Sequence, residues 1–210
     1  MTLDELLQAG APPVIGILRG IKPDEVAAIA GAVFAAGIRA VEVPLNSPDA
    51  LRSIEVLQSR FGGTALIGAG TVLSVQAVDA VIAAGGRLIV TPNTEPAVIR
   101  RGVEAGLDVL PGFFTASEAF KALDAGALRL KLFPASSAPA THLKAVREVL
   151  PPQVEIWAVG GTRAENLAAW LADGARGLGI GGALYRPGDA PAAVGARAAA
   201  IVAAWTAATA

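Results

Sequence analysis

Short apolar runs rich in Val, Ile and Leu recur along the chain, and Ala-rich stretches of helical pattern lie between them. The helical stretches close on a small residue and a glycine at Ala36-Gly37, Ala84-Gly85, Ala105-Gly106, Ala125-Gly126 and Asp173-Gly174. Glycine after a helix adopts the left-handed cap conformation without a Cβ penalty, so these pairs mark helix ends that feed the next strand. Phe61-Gly62-Gly63 and Leu150-Pro151-Pro152 stop helices where the pair is missing. The result is one unit roughly every 20 to 25 residues.

The apolar runs predict eight strands, at residues 13–19, 40–45, 65–69, 88–91, 108–111, 128–133, 155–159 and 177–180. Helices follow them, with start signals at Pro23-Asp24-Glu25, at Ser47-Pro48-Asp49, at Ser117 with Glu118, and at Thr162 with Glu165. A short helix over residues 2–8 precedes the first strand. Strands alternating with helices argue for βαβ units and a parallel sheet. Eight such units in 210 residues predict an α/β fold, a compact (β/α)8 TIM barrel with a short N-terminal helix, as one domain over residues 1–210. An open doubly wound sheet is the alternative, because periodicity alone does not close a barrel.

Composition narrows the chemistry. Apolar residues make up 53% and charged residues 17%, which suits a packed globular protein. Lys and Arg (17) nearly balance Asp and Glu (18), so no net field attracts a polyanion; the expected partner is a small molecule, not a nucleic acid. The chain has no cysteine and a single histidine, His142, which excludes disulfides, thiolate nucleophiles, cysteine metal sites and a two-histidine zinc site. The opening MTLDELLQAG carries Asp4 and Glu5 and no basic residue, unlike a signal peptide. The apolar tail at 198–210 falls short of the ~20 residues that cross a bilayer. A cytoplasmic protein without a membrane partner is expected.

A charge inside a strand buried on both faces is costly unless it is used or paired. Glu42 lies in AVEVPL (40–45) and Lys131 in LRLKLFPA (128–135), both toward the strand ends where barrel active sites gather. Desolvation favours the neutral amine of a lysine. Such an amine attacks ketones to give an iminium, an electron sink for carbon–carbon cleavage. A partly desolvated Glu42 would ferry the protons. A structural ion pair is the competing reading. Gly160-Gly161 after the seventh strand and Gly181-Gly182 after the eighth suit a phosphate, which approaches bare backbone and helix N–H groups closely. Gly177, Gly179 and Gly182 satisfy G-x-G-x-x-G, but no βαβ unit follows them, so a dinucleotide is not expected. Arg19 ends the first strand, where it could clamp a carboxylate or phosphate. Thr71 and Asn93 end the third and fourth, and Phe133 shares a face with Lys131. His142 suits a surface or capping role, and Trp157, Trp170 and Trp205 a core or interface role.

The stretches ILRGIKPDE (17–25), VEVPLNSP (41–48), LIGAGTVL (66–73), LIVTPN (88–93), LKLFPAS (130–136) and AVGG (158–161) together resemble the KDPG/KHG aldolase family, which acts on 2-keto-3-deoxy-6-phosphogluconate and related 2-keto acids. The likeness is strongest to its galactonate-acting branch. It implies a (β/α)8 barrel, a homotrimer, no cofactor or metal, and cleavage of a phosphorylated 2-keto acid to pyruvate and glyceraldehyde 3-phosphate. It places the Schiff-base lysine on Lys131 and the general acid/base on Glu42. Around the pyruvate portion it places Arg19, Thr71, Pro92 and Phe133, and on the phosphate loops the two glycine pairs. Asn46 stands where gluconate-acting members carry arginine, Ala183 where a serine is frequent, and Val159 where they carry threonine. A barrel isomerase or decarboxylase and a noncatalytic phosphometabolite-binding barrel remain the alternatives to an aldolase.

Overall fold

The computed structural model describes residues 1–138 and 140–210. Its strands are β1 (Val14–Ile17), β2 (Ala40–Pro44), β3 (Leu66–Gly70), β4 (Leu88–Val90), β5 (Asp108–Leu110), β6 (Gly112–Phe113), β7 (Arg129–Leu132), β8 (Glu155–Val159) and β9 (Gly177–Ile180). All pair in parallel, in the order β5-β4-β3-β2-β1-β9-β8-β7-β6. The two ends of that order, β5 and β6, are successive pieces of one stave. Pro111 divides them because it has no N–H to give the ladder. Its carbonyl nevertheless accepts from the Lys131 N–H at 2.9 Å, which carries the sheet across the break. The eight expected staves are present, with the fifth running past Pro111 to Phe113.

Helices α1 (Leu3–Gln8), α2 (Val26–Ala35), α3 (Ala50–Phe61), α4 (Val75–Ala83), α5 (Pro96–Glu104), α6 (Ala116–Asp124), α7 (Ala140–Val149), α8 (Ala164–Ala172) and α9 (Pro191–Thr209) alternate with the strands. Two expected helix starts move. At α6 the cap is Thr115, whose hydroxyl accepts from the Glu118 N–H at 3.3 Å while Glu118 accepts from the Thr115 N–H at 2.8 Å; Ser117 already lies inside the helix. Thr162 does not cap α8. It is buried and donates to the Gly179 carbonyl at 2.6 Å, while Asn166 accepts from the Arg163 N–H at 2.9 Å.

Strand alternation sorts the core into two layers. Val14, Val41, Ile67, Ile89, Leu130, Ile156 and Leu178 point outward under the helices. Ile15, Ala40, Leu66, Leu88, Leu110 and Trp157 fill the barrel, and Leu3 and Leu6 of α1 close its N-terminal end. At that end Arg129 pairs with Asp108 (3.1 Å), with Glu155 (2.8 Å) and with Asp4 of α1, and the Leu3 N–H donates to Asp108 at 2.8 Å. The same alternation turns Glu42, two residues after Ala40, and Lys131, two before Phe133, into the barrel.

The C-terminal helix departs from expectation. It runs unbroken through Arg197, and its length and apolar character would suffice for a bilayer crossing. In the fold it lies along α2 and α8 with Val194, Ala198 and Ile201 buried, and Arg197 pairs with Asp189.

Candidate active site

The C-terminal ends of the staves carry most of the predicted site. Lys131 is 6% exposed, and its Nζ lies 4.4 Å from the centre of the Phe133 ring. Burial pulls its pKa down from 10.5 to about 8; the Glu42 carboxylate opposes that fall and the Arg19 charge adds to it. Glu42 is 2% exposed, and burial pushes its pKa up from 4.5 to about 7 against the charges of Lys131 and Arg19 and the Gly70 N–H. Desolvation therefore outweighs mutual attraction for both groups. A Cβ on Gly70 would overlap the Glu42 carboxylate, so a bare backbone makes room for it. Glu42 Oε2 is buried with no hydrogen-bond partner among the described residues.

Four loops frame this pair. After β1, Arg19 donates to Asn46 Oδ1 at 2.7 Å and the Gly20 N–H to Ser47 Oγ at 2.9 Å, so the loops after β1 and β2 are joined. Thr71 follows β3 at φ 57°, a left-handed conformation that is costly for a β-branched residue and concentrates at functional sites. After β4, Pro92 sits against Gly112, where a Cβ would overlap its carbonyl. Thr94 donates to the Gly112 carbonyl at 2.6 Å, and buried Thr91 accepts from the Gly112 N–H at 3.2 Å.

A cavity of about 610 Å³ opens on the other half of the mouth. Its wall includes Ile17, Arg19, Gly20, Phe133, Val159, Gly160, Gly161, Gly181, Gly182 and Ala183. Gly160 and Gly161 have φ of 104° and 73°, which leaves their backbone open to a ligand without side-chain interference. Val159 packs on Gly179, where a Cβ would lie 2.8 Å from its Cγ2. The structure thus gathers Arg19, Phe133, Val159 and both glycine pairs around one space. Glu42, Asn46, Thr71, Pro92 and Lys131 are not on that wall; Phe133 and Arg19 connect the two groups.

The wall also contains Arg163, Tyr185 and Arg186, which sequence reasoning passed over. An arginine in a loop reads as solvated, and the nearness of Arg186 to the Gly181-Gly182 pair is the one signal that could have singled it out. His142 stacks on Phe114 with ring centres 4.9 Å apart, its Nε2 2.7 Å from the Phe114 carbonyl; it caps no helix. Lys144 pairs with Asp173 at 3.0 Å. A desolvated amine, a carboxyl that exchanges its proton near neutrality and an arginine-rimmed glycine cavity can together bind an anionic ketone and move protons on it.

The family described as KDPG and KHG aldolase matches residues 4–191. The chain is 50% identical over 193 residues to a 2-dehydro-3-deoxy-6-phosphogalactonate aldolase of Escherichia coli (strain K12), covering 92% of this chain and 94% of that one. A solved structure described as native KDPGal superposes with a TM-score of 0.92 at 50% identity, covering 94% of this chain and 96% of its own. A KDPG aldolase from Legionella pneumophila, with pyruvate captured as a covalent carbinolamine, superposes with a TM-score of 0.80 at 30% identity and 94% coverage of each chain.

Proposed function

The chain belongs to the KDPG and KHG aldolase family, and from that membership we propose how its own residues divide the work. It is a carbon–carbon lyase of the aldolase type, cleaving 2-dehydro-3-deoxy-6-phosphogalactonate to pyruvate and glyceraldehyde 3-phosphate. In this reading the neutral amine of Lys131 attacks the C2 ketone to form a carbinolamine, which loses water to an iminium. Glu42 takes the C4 hydroxyl proton as the C3–C4 bond breaks. The electron pair of that bond passes into the iminium, leaving an enamine, and C4 departs as the aldehyde. Proton return to C3 and hydrolysis then free pyruvate and the amine.

The observation that carries this is the burial of Lys131 and Glu42 in the barrel mouth, which draws the amine down and the carboxyl up toward neutrality, so that each can exchange a proton near neutral pH. Phe133 supplies a wall beside the iminium, and Arg19, held by Asn46, meets the carboxylate. Thr71 and Pro92 border the pyruvate portion, while Gly160, Gly161, Gly181 and Gly182 receive the phosphate and Val159 faces the C4 region. A single catalytic unit, assembled as a cytoplasmic homotrimer, completes the reading; light scattering of the purified protein at three times 21.1 kDa would support that assembly. The decisive experiment is incubation with pyruvate and borohydride, followed by peptide mass spectrometry. A reduced pyruvyl adduct on the peptide with Lys131 is expected. An unmodified protein, or an adduct on Lys121 or Lys144, would overturn the assignment.

A further inference from the structure

Glu25 occupies the N-cap position of α2, yet its side chain makes no capping bond to that helix. The short side chains favoured at this position, Asp among them, accept from the helix's free N–H groups; the longer Glu25 does not. This carboxylate is engaged elsewhere: Oε1 accepts from the Lys22 N–H at 3.1 Å and from the Tyr185 hydroxyl at 3.1 Å. Tyr185 is 2% exposed and lies between the Gly181-Gly182 pair and Arg186, on the cavity wall. Burial and the facing Glu25 carboxylate hold the phenol above its ordinary pKa, so it remains a donor at working pH.

The same two loops meet a second time. Gly20 has φ 81°, and a Cβ there would lie 2.8 Å from Pro187 Cγ. From Gly20 the chain of contacts continues through Ser47 and through the Arg19–Asn46 bond. It ends at the guanidinium whose charge acts on both Lys131 and Glu42.

We propose that Tyr185, through its hydrogen bond to Glu25, is a positioning residue that couples the anion-binding loop after β9 to the Arg19 loop after β1. This rests on the aldolase reading above. The substrate of that reading carries a phosphate at one end and a carboxylate beside the reacting ketone at the other. A tether between the two loops lets the phosphate, which takes no part in the chemistry, fix the guanidinium that orients the reacting end. Remote binding is thereby converted into turnover rather than affinity alone.

The test compares the phosphorylated sugar acid with the same acid lacking phosphate, in wild type, Tyr185→Phe, Glu25→Ala, Glu25→Gln and the Tyr185→Phe/Glu25→Ala double variant. With the phosphorylated acid, kcat/KM of Tyr185→Phe should fall about tenfold, the scale of one hydrogen bond to a charged group. Part of that loss should appear in kcat. With the unphosphorylated acid the fall should be much smaller, so the preference for phosphate shrinks. Glu25→Ala should reproduce Tyr185→Phe, the double variant should be no worse than either, and Glu25→Gln, which keeps an acceptor, should restore most of the preference. General loosening would lower Tm and both activities together and leave the preference unchanged. An unchanged preference, or losses that add in the double variant, would overturn the coupling while the wild type still cleaves its substrate. A wild type that neither cleaves it nor captures pyruvate would instead overturn the aldolase reading, and the coupling with it.

Discussion

Removing the Glu42 charge should lower the pH at which Lys131 becomes reactive. A lysine at its ordinary 10.5 is ~0.03% neutral at pH 7, whereas one held at about 8 is ~10% neutral, a gain of a few hundredfold, or ~3 kcal/mol. Pyruvate capture by the wild type should therefore rise about tenfold per pH unit below 8 and level off above it. The Glu42 carboxylate holds the Lys131 value up. Glu42→Gln keeps the shape and deletes that charge, while Arg19, which pushes the other way, remains. The midpoint in the variant should then lie below 8, even though its absolute capture rate and its cleavage turnover fall; loss of a general acid/base group typically costs ~10²- to 10⁴-fold. The assay is the rate of pyruvate capture trapped by cyanoborohydride, followed by intact mass across a pH series that brackets the expected midpoint. A wild-type midpoint near that of free lysine, or one that moves upward in Glu42→Gln, would refute the desolvation argument.

Three further outcomes follow from the same geometry. Glu42 has a folded-state pKa above its unfolded value, so its stabilising contribution is complete below about 4.5 and lost as pH rises through about 7. At pH 9, where Lys131 is neutral, Glu42→Gln should melt above the wild type by up to ~3 kcal/mol of stability, and an equal or lower Tm would count against the buried carboxylate. Gly70→Ala places a methyl group on the Glu42 carboxylate; cleavage should fall by ~100-fold or more with pyruvate capture retained, and a smaller loss would show that Glu42 tolerates displacement. Val159→Thr adds a hydroxyl to the cavity wall at nearly constant shape, so the ratio of kcat/KM for the galactonate- and gluconate-derived epimers should move toward gluconate; an unchanged ratio would move epimer choice to another residue.

Much of the fold could be read from the sequence because a strand buried on both faces is continuously apolar. The seventh and eighth expected strands coincide with β8 and β9. The fifth ended too early, since proline is a stop signal in sequence, while the fold simply spans Pro111 with its carbonyl. Arg197 likewise divided an apolar tail that is one helix, because its pairing with Asp189 has no signature in sequence. Lys131 and Glu42 stood out as charges among apolar neighbours. Arg163, Tyr185 and Arg186 did not, since their part in the cavity depends on which way a loop turns.

The closure of the barrel's N-terminal end has a consequence for the order in which the protein comes into being. Helix α1 precedes every strand of the barrel along the chain, but its fastenings lie far downstream: Leu3 reaches across 105 positions to Asp108, and Asp4 across 125 to Arg129. Glu155, which completes the grip on Arg129, is made later still. Helix α1 therefore stays unlocked until β7 has been made, and a nascent chain halted before β7 lacks Arg129 and leaves the floor of the barrel without that grip.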